Sequence, residues 1–144
     1  MQTNLAAEFK GTPEGIEAAL AASFWQGLRD QRDEFFGAAL AAVVGGATLW
    51  RLGLPQTAAP ITLPGEQLVE WGGAQRWLCT MAAAHAVREA AGAARGHATL
   101  FAVQDKSAGV FAPLQSPLDR IHREVKKSFD PSGIFNPGRL YPGL

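Results

Sequence analysis

From Thr48 to Leu54 the chain alternates with period two, and Pro55, Pro60 and Pro64 then forbid any regular continuation. Trp50, Leu52 and Leu54 share one face of that run, while Leu49, Arg51 and Gly53 share the other. A strand with one apolar face is expected, and it must pair with other strands to satisfy its backbone groups. Gln67–Cys79 (QLVEWGGAQRWLC) is strand-like on both sides of Gly72-Gly73. It reads either as a tight hairpin or as one long strand with a glycine bulge, and the bulged strand is favoured. His97–Val103 (HATLFAV) reads as another strand, and the weak alternation of Leu5–Lys10 as a first one.

Helical spacing fills the intervals. Thr12-Pro13 looks like a helix start, with Ile16, Ala19 and Leu20 on one face as far as about Ala22. Ser23 looks like a second cap, followed by an amphipathic helix whose aromatic residues, Phe24, Trp25, Phe35 and Phe36, are expected in the core. Ala38–Gly46 fits a helix end or a linker. Thr80 is expected to cap a helix over Met81–Ala94 that Gly96 closes. Ser116-Pro117-Leu118-Asp119 opens a last helix with a capping-box-like carboxylate, and Leu118, Ile121, Val125 and Phe129 line one of its faces. The order of elements is that of an α+β fold: a ferredoxin-like βαββαβ sandwich with an extra helix and a Pro/Gly-rich C-terminal tail. Residues 1–115 form the sandwich, and 116–144 form the helix and tail.

Composition narrows the function classes. Thirteen basic and thirteen acidic residues give a formal net charge of +0 over 144 residues, so no overall basic field holds a polyanion. No apolar run reaches the roughly 18 residues of a membrane-spanning helix. A cytoplasmic domain without a signal segment is expected. The single cysteine, Cys79, excludes an internal disulfide and a multi-thiolate metal site. His85, His97 and His122 do not pair with each other or with Cys79 at ligand spacing, so no metal is expected.

The remaining candidates are few. Arg51 and Arg76 sit in strands beside Trp50 and Trp77, where a guanidinium could clamp a carboxylate or simply lie on a solvated or helix-covered face, paired with Glu66 or Glu70. Arg120, Arg123, Lys126 and Lys127 give the last helix a basic side, diluted by Asp119 and Glu124. The tail, Asp130-Pro131-Ser132-Gly133-Ile134-Phe135-Asn136-Pro137-Gly138-Arg139, fixes two X-Pro steps and two glycines at set offsets, which implies consecutive turns. There Asn136 can offer both a donor and an acceptor to a flat heterocycle. A rigid clip packed on its own domain is the plainer alternative.

DPSGIFNPGRLYPG after a helix resembles the C-terminal signature of FAD-linked oxidases of the vanillyl-alcohol oxidase type, in which a helix is followed by DPxxxxNPG. LWRLGLP, LPGEQLVEWGGAQRWL and GHATLF are similar, in order and spacing, to the FAD-binding subunits of glycolate oxidases. The resemblance runs from about Leu5 to the end and corresponds to the cap half of such a subunit. The flavin-binding N-terminal domain, with its glycine-rich pyrophosphate segment, has no counterpart in this sequence.

The resemblance implies FAD, held only with that other domain, and oxidation of a 2-hydroxy acid. It also implies a tail that returns toward the flavin, with Asn136 in contact with it. It implies as partners a GlcD-like catalytic flavoprotein subunit and an iron–sulfur subunit, with the complex lying in the cytoplasm or peripheral to the inner membrane. The chain by itself is expected to be inactive. Metal-dependent relatives carry GHxGDGNxH, whereas here Gly96-His97 is followed by ATLFAV without the second histidine. An assignment of Arg51 or Arg76 to the substrate carboxylate rests on physical argument and not on the motif. The alternative is a stand-alone ferredoxin-like module that binds a partner or a small ligand without catalysis.

Overall fold

A computed structural model describes residues 15–141, 143 and 144, in two compact units that divide between Ala38 and Ala39. The expected strand at Leu5–Lys10 and the helix start at Thr12-Pro13 lie outside the described residues.

In the first unit, α1 spans Ala18–Arg29 without a break. The Glu17 carboxylate caps it by accepting from the Leu20 N–H at 3.2 Å. Ser23 therefore starts no second helix. It sits inside an Ala-rich segment whose helix propensity carries straight through it. Phe24 and Trp25, expected in the core, are exposed and meet edge to face with ring centroids 5.2 Å apart. The chain turns at Gln31, which has a φ of 56°. Asp33 Oδ1 then accepts from the Phe36 N–H at 3.0 Å and caps α2, Glu34–Val44. The stretch from Ala38 is thus helix up to Val44 and not a linker.

The second unit is built on a sheet of β1 (Thr48–Gly53), β2 (Glu66–Glu70), β3 (Gln75–Thr80) and β4 (His97–Ala102), in the order β2-β3-β1-β4. Every neighbouring pair is antiparallel. With helices beside this sheet the protein has the α+β class expected from its sequence. The segment Gln67–Cys79 is the hairpin and not the bulged strand. Trp71, Gly72 and Gly73 form a one-turn 3₁₀ segment with φ of 51°, 60° and 97°, and this reverses the chain. A Cβ at Gly73 would also crowd the Gln56 carbonyl oxygen at 3.0 Å, and its φ of 97° already favours glycine.

Register sorts the sheet into two faces. Trp50, Leu52, Leu78, Ala98 and Leu100 point to one side, where Val87 and Ala91 of α3 (Ala84–Ala93) complete the main core with Leu54 and Ile61. Trp50 is fully buried, with its indole N–H donating to Thr48 Oγ1 at 2.8 Å and the Arg88 guanidinium 5.5 Å from its ring centroid. Leu49, Trp77 and Cys79 are buried on the other side, as are Ala39 and Val43 of α2. Burial raises the Cys79 thiol pKa, with Glu66 adding a smaller push, so the thiol stays protonated and unreactive.

Thr80 ends β3 and does not cap α3; its hydroxyl accepts from the Ala82 N–H at 3.0 Å and donates to the Pro64 carbonyl. Gly96 does close α3, its N–H reaching the Ala91 carbonyl at 2.8 Å. Glycine is required there by close approach, because a Cβ would sit 2.2 Å from the Gly53 oxygen. The last helix, α4, spans Leu118–Phe129. Its start has no side-chain cap, so Asp119 makes no capping box. The first amides bond to the Gln115 carbonyl instead, Leu118 at 2.8 Å and Asp119 at 3.3 Å. Leu118, Ile121, Val125 and Phe129 do share a face, and all four are exposed.

Candidate functional site

The tail after α4 is held by one carboxylate. Asp130 is buried at the end of the helix and accepts from the Ile134 N–H at 3.1 Å and the Phe135 N–H at 2.9 Å. Lys126, one turn earlier, donates both to Asp130 and to the Phe135 carbonyl. Its hydrogen bond to Asp130 is the largest influence holding that carboxyl below the usual Asp pKa. Burial opposes the shift, and the Phe135 and Ile134 amides reinforce it. Pro131 and Gly133 let the chain fold back over the carboxylate, the Gly133 N–H bonding to the Asp130 carbonyl at 3.0 Å. The turns expected from the X-Pro and glycine spacing are therefore present, and Asp130 is what organises them.

This knot sets Asn136 at the edge of a cleft of about 570 Å³ between α4 and the tail. Val125, Phe129, Phe135 and Leu140 give it apolar walls, with His122 and Arg139 as polar neighbours. Asn136 is exposed and has a φ of 47°, a left-handed conformation that asparagine adopts more readily than most residues. Its carbonyl accepts from the Arg139 N–H at 3.2 Å, and no hydrogen bond engages its side-chain amide among the described residues. Apolar walls with a few polar groups suit a flat, partly polar ring system.

The two strand arginines part company. Arg76 pairs in register with Leu52 and lies on the face covered by α3, buried. Its guanidinium donates to the carbonyls of Gly73 at 3.2 Å, Ala59 at 2.8 Å and Ala58 at 2.6 Å. It thereby ties the proline-rich connection to the hairpin turn. Arg51 lies on the opposite face, in register with Trp77 of β3 and Thr99 of β4. It is exposed and forms no ion pair among the described residues. The two side chains do not converge on one ligand.

The histidines are dispersed and exposed: His85 on α3, His97 at the start of β4, His122 on α4. No group of three His, Cys, Asp or Glu side chains that could hold a metal occurs among the described residues. His122 Nδ1 is occupied within its own helix by the Leu118 carbonyl at 2.8 Å. Sequence reasoning did not single out Asp130 and Lys126 as a pair. Their i, i+4 spacing at a helix end, just before a proline, was the available signal.

Among the described residues, these features give an α+β arrangement with a part-apolar cleft beside its tail and an exposed arginine on one sheet face. The chain is similar to the glycolate oxidase subunit GlcE of Escherichia coli (strain K12), with 46% identity over 125 residues. That alignment takes in 87% of this chain, which spans only 33% of the relative's length. The resemblance read from the tail and from WGGAQRW is thereby borne out. No family model and no solved structure matches the chain.

Proposed function

We propose that this chain serves as the C-terminal domain of a FAD-dependent glycolate (2-hydroxy acid) oxidase subunit, contributing to the flavin and substrate site and to subunit assembly. The observation that carries the reading is the 46% identity to a glycolate oxidase subunit. In this reading the cap is residues 1–115, and residues 116–144 return toward a flavin-binding domain. The uncovered stripe of α4 supports the latter, since an exposed face of Leu118, Ile121, Val125 and Phe129 is suited to further packing.

The residues fit a contact with FAD at its edge and not a full binding site. Asn136 has an uncommitted amide beside apolar walls. No P-loop or dinucleotide fingerprint occurs in the sequence to hold a pyrophosphate. Asn136 would hydrogen-bond the ring system and Phe129 and Phe135 would exclude water around it. When bound, the flavin supplies the acceptor for the hydride that leaves the hydroxy-acid carbon. Arg51, exposed and without an ion pair among the described residues, steadies the substrate carboxylate as a bidentate donor. Arg76, whose donors are taken by three carbonyls, keeps the neighbouring loop in place. A GlcD-like flavoprotein subunit and an iron–sulfur subunit complete the electron path. The complex is placed in the cytoplasm or at the inner membrane's surface through its other parts; among the described residues no helix is long and apolar enough to cross a membrane.

The test is made in the reconstituted oxidase. Asn136→Ala should lower flavin retention and turnover, and Arg51→Ala should raise KM for glycolate or lower kcat by roughly tenfold or more. Unchanged flavin content and unchanged kinetics in both would remove these residues from the site.

A further inference from the structure

The two edges of the sheet are treated differently. At β4 the Leu100 N–H donates to the Val110 carbonyl at 2.9 Å. Arg88 fastens the covering loop through the carbonyls of Ala108 at 2.9 Å and Gly109 at 2.7 Å. At β2, the other edge, the backbone pairs with β3 and has no further hydrogen-bond partner among the described residues. Open edges are templates for another strand.

The open edge runs into Trp71, which is 73% exposed at a φ of 51°. Left-handed backbone is costly for a bulky residue, and an indole in solvent gains no burial to offset it. Gly72 and Gly73 follow at once and could supply the reversal themselves, so the turn does not require tryptophan. Val69, two residues earlier, is also exposed. A strained, solvent-facing tryptophan beside an open edge is the composition of an interface anchor.

Charge selects the partner. β2 reads Glu66-Gln67-Leu68-Val69-Glu70. A second copy pairing antiparallel about Leu68 would set each Glu66 opposite the other copy's Glu70, and like charges directly opposite are destabilising. A strand with lysine or arginine at those two places meets attraction instead, chiefly from Glu66, since Glu70 Oε2 already accepts from Trp77 Nε1 at 2.5 Å and Gln75 Nε2 at 2.9 Å.

We propose that the β2 edge and Trp71 form the docking surface for an extended, basic strand of a different subunit, with Trp71 as its anchor. This rests on the reading of the chain as part of an oxidase subunit. The experiment is capture of the assembled oxidase through a tag on the subunit that carries this chain, for wild type, Trp71→Ala and Glu66→Lys. The captured subunits are weighed by mass spectrometry and the flavin by absorbance. Trp71→Ala should cut recovery of the other subunits at least about tenfold. Its melting temperature should stay level, because the exposed indole gives up little burial and alanine keeps the same left-handed backbone.

Glu66→Lys should also lose partner. It should favour a homodimer as well, since a lysine would then face the second copy's Glu70. Retention of the other subunits at wild-type ratio in both variants overturns the surface and leaves the oxidase reading intact. A lowered melting temperature for Trp71→Ala also overturns it, by making the tryptophan structural. Wild type that brings down neither another subunit nor flavin removes the oxidase reading, and the surface with it.

Discussion

The sheet and the last helix are opposites in how pattern meets burial. Along β1 every apolar residue of the alternation is covered: Leu49, Trp50 and Leu52 are all buried. In α4 the stripe is at least as regular, yet Phe129 at its end is 84% exposed. A periodic apolar face states which side wants cover, and only tertiary partners decide whether it is covered. The sheet finds its cover in α3 and in the C-terminal part of α2, whereas α4 has its own tail along one flank of an open face.

That contrast orders the expected effects. Trp50→Ala should cost about 3–5 kcal/mol in a urea melt, because it empties a fully buried site and removes the ring that Arg88 lies over. A loss below about 1 kcal/mol would mean the sheet core is as loosely packed as the α4 face. Arg76→Ala should follow at about 2–3 kcal/mol, since the buried guanidinium's three hydrogen bonds, to the carbonyls of Gly73, Ala59 and Ala58, are lost together. Arg76→Lys should recover little of it, because an ammonium cannot reproduce the planar fork.

Acid should act on the tail before the sheet. The Asp130 carboxyl is held below its usual pKa, so its contribution is complete above the unfolded value of about 3.9 and fades as pH falls through the lower folded value. Asp130→Asn should remove that pH dependence and speed amide exchange at Ile134 and Phe135 by roughly tenfold, with the β1 and β3 amides unmoved. Uniform acid loosening of sheet and tail together would break the distinction. The smallest effect belongs to Phe129→Ala, within about 0.5 kcal/mol for the chain alone. The same change should weaken association with the flavin-bearing part, read as lost flavin on gel filtration.

Much of the sheet was legible because its strands are punctuated. Proline after Leu54 and glycine before His97 bracket β1 and β4 to within a residue or so of where they lie. The hairpin was not, since QLVEWGGAQRWLC suits either topology until the φ angles of Trp71 to Gly73 are known. The arginines were misleading for a related reason. β3 is apolar on both sides, with Leu78 facing the main core and Trp77 and Cys79 the other face, so no pattern tells which side Arg76 takes. Register alone puts it beneath a loop and leaves Arg51 free. The start of α1 was hidden as well, because a serine after an Ala-rich run looks like a cap until Glu17 is found capping the same helix. In the tail, the turns around Asn136 were readable from X-Pro spacing. The Asp130–Lys126 knot that holds them needed the fold-back of the tail to appear.

The central claim is that this chain works beside a flavin in hydroxy-acid oxidation. The most direct measurement is the visible spectrum of the native species captured from source cells by an antibody to this chain, before and after anaerobic addition of glycolate. The account predicts a flavin spectrum that travels with the chain and bleaches on addition of the acid. A captured species without flavin, or a flavin that glycolate leaves fully oxidised, would contradict it.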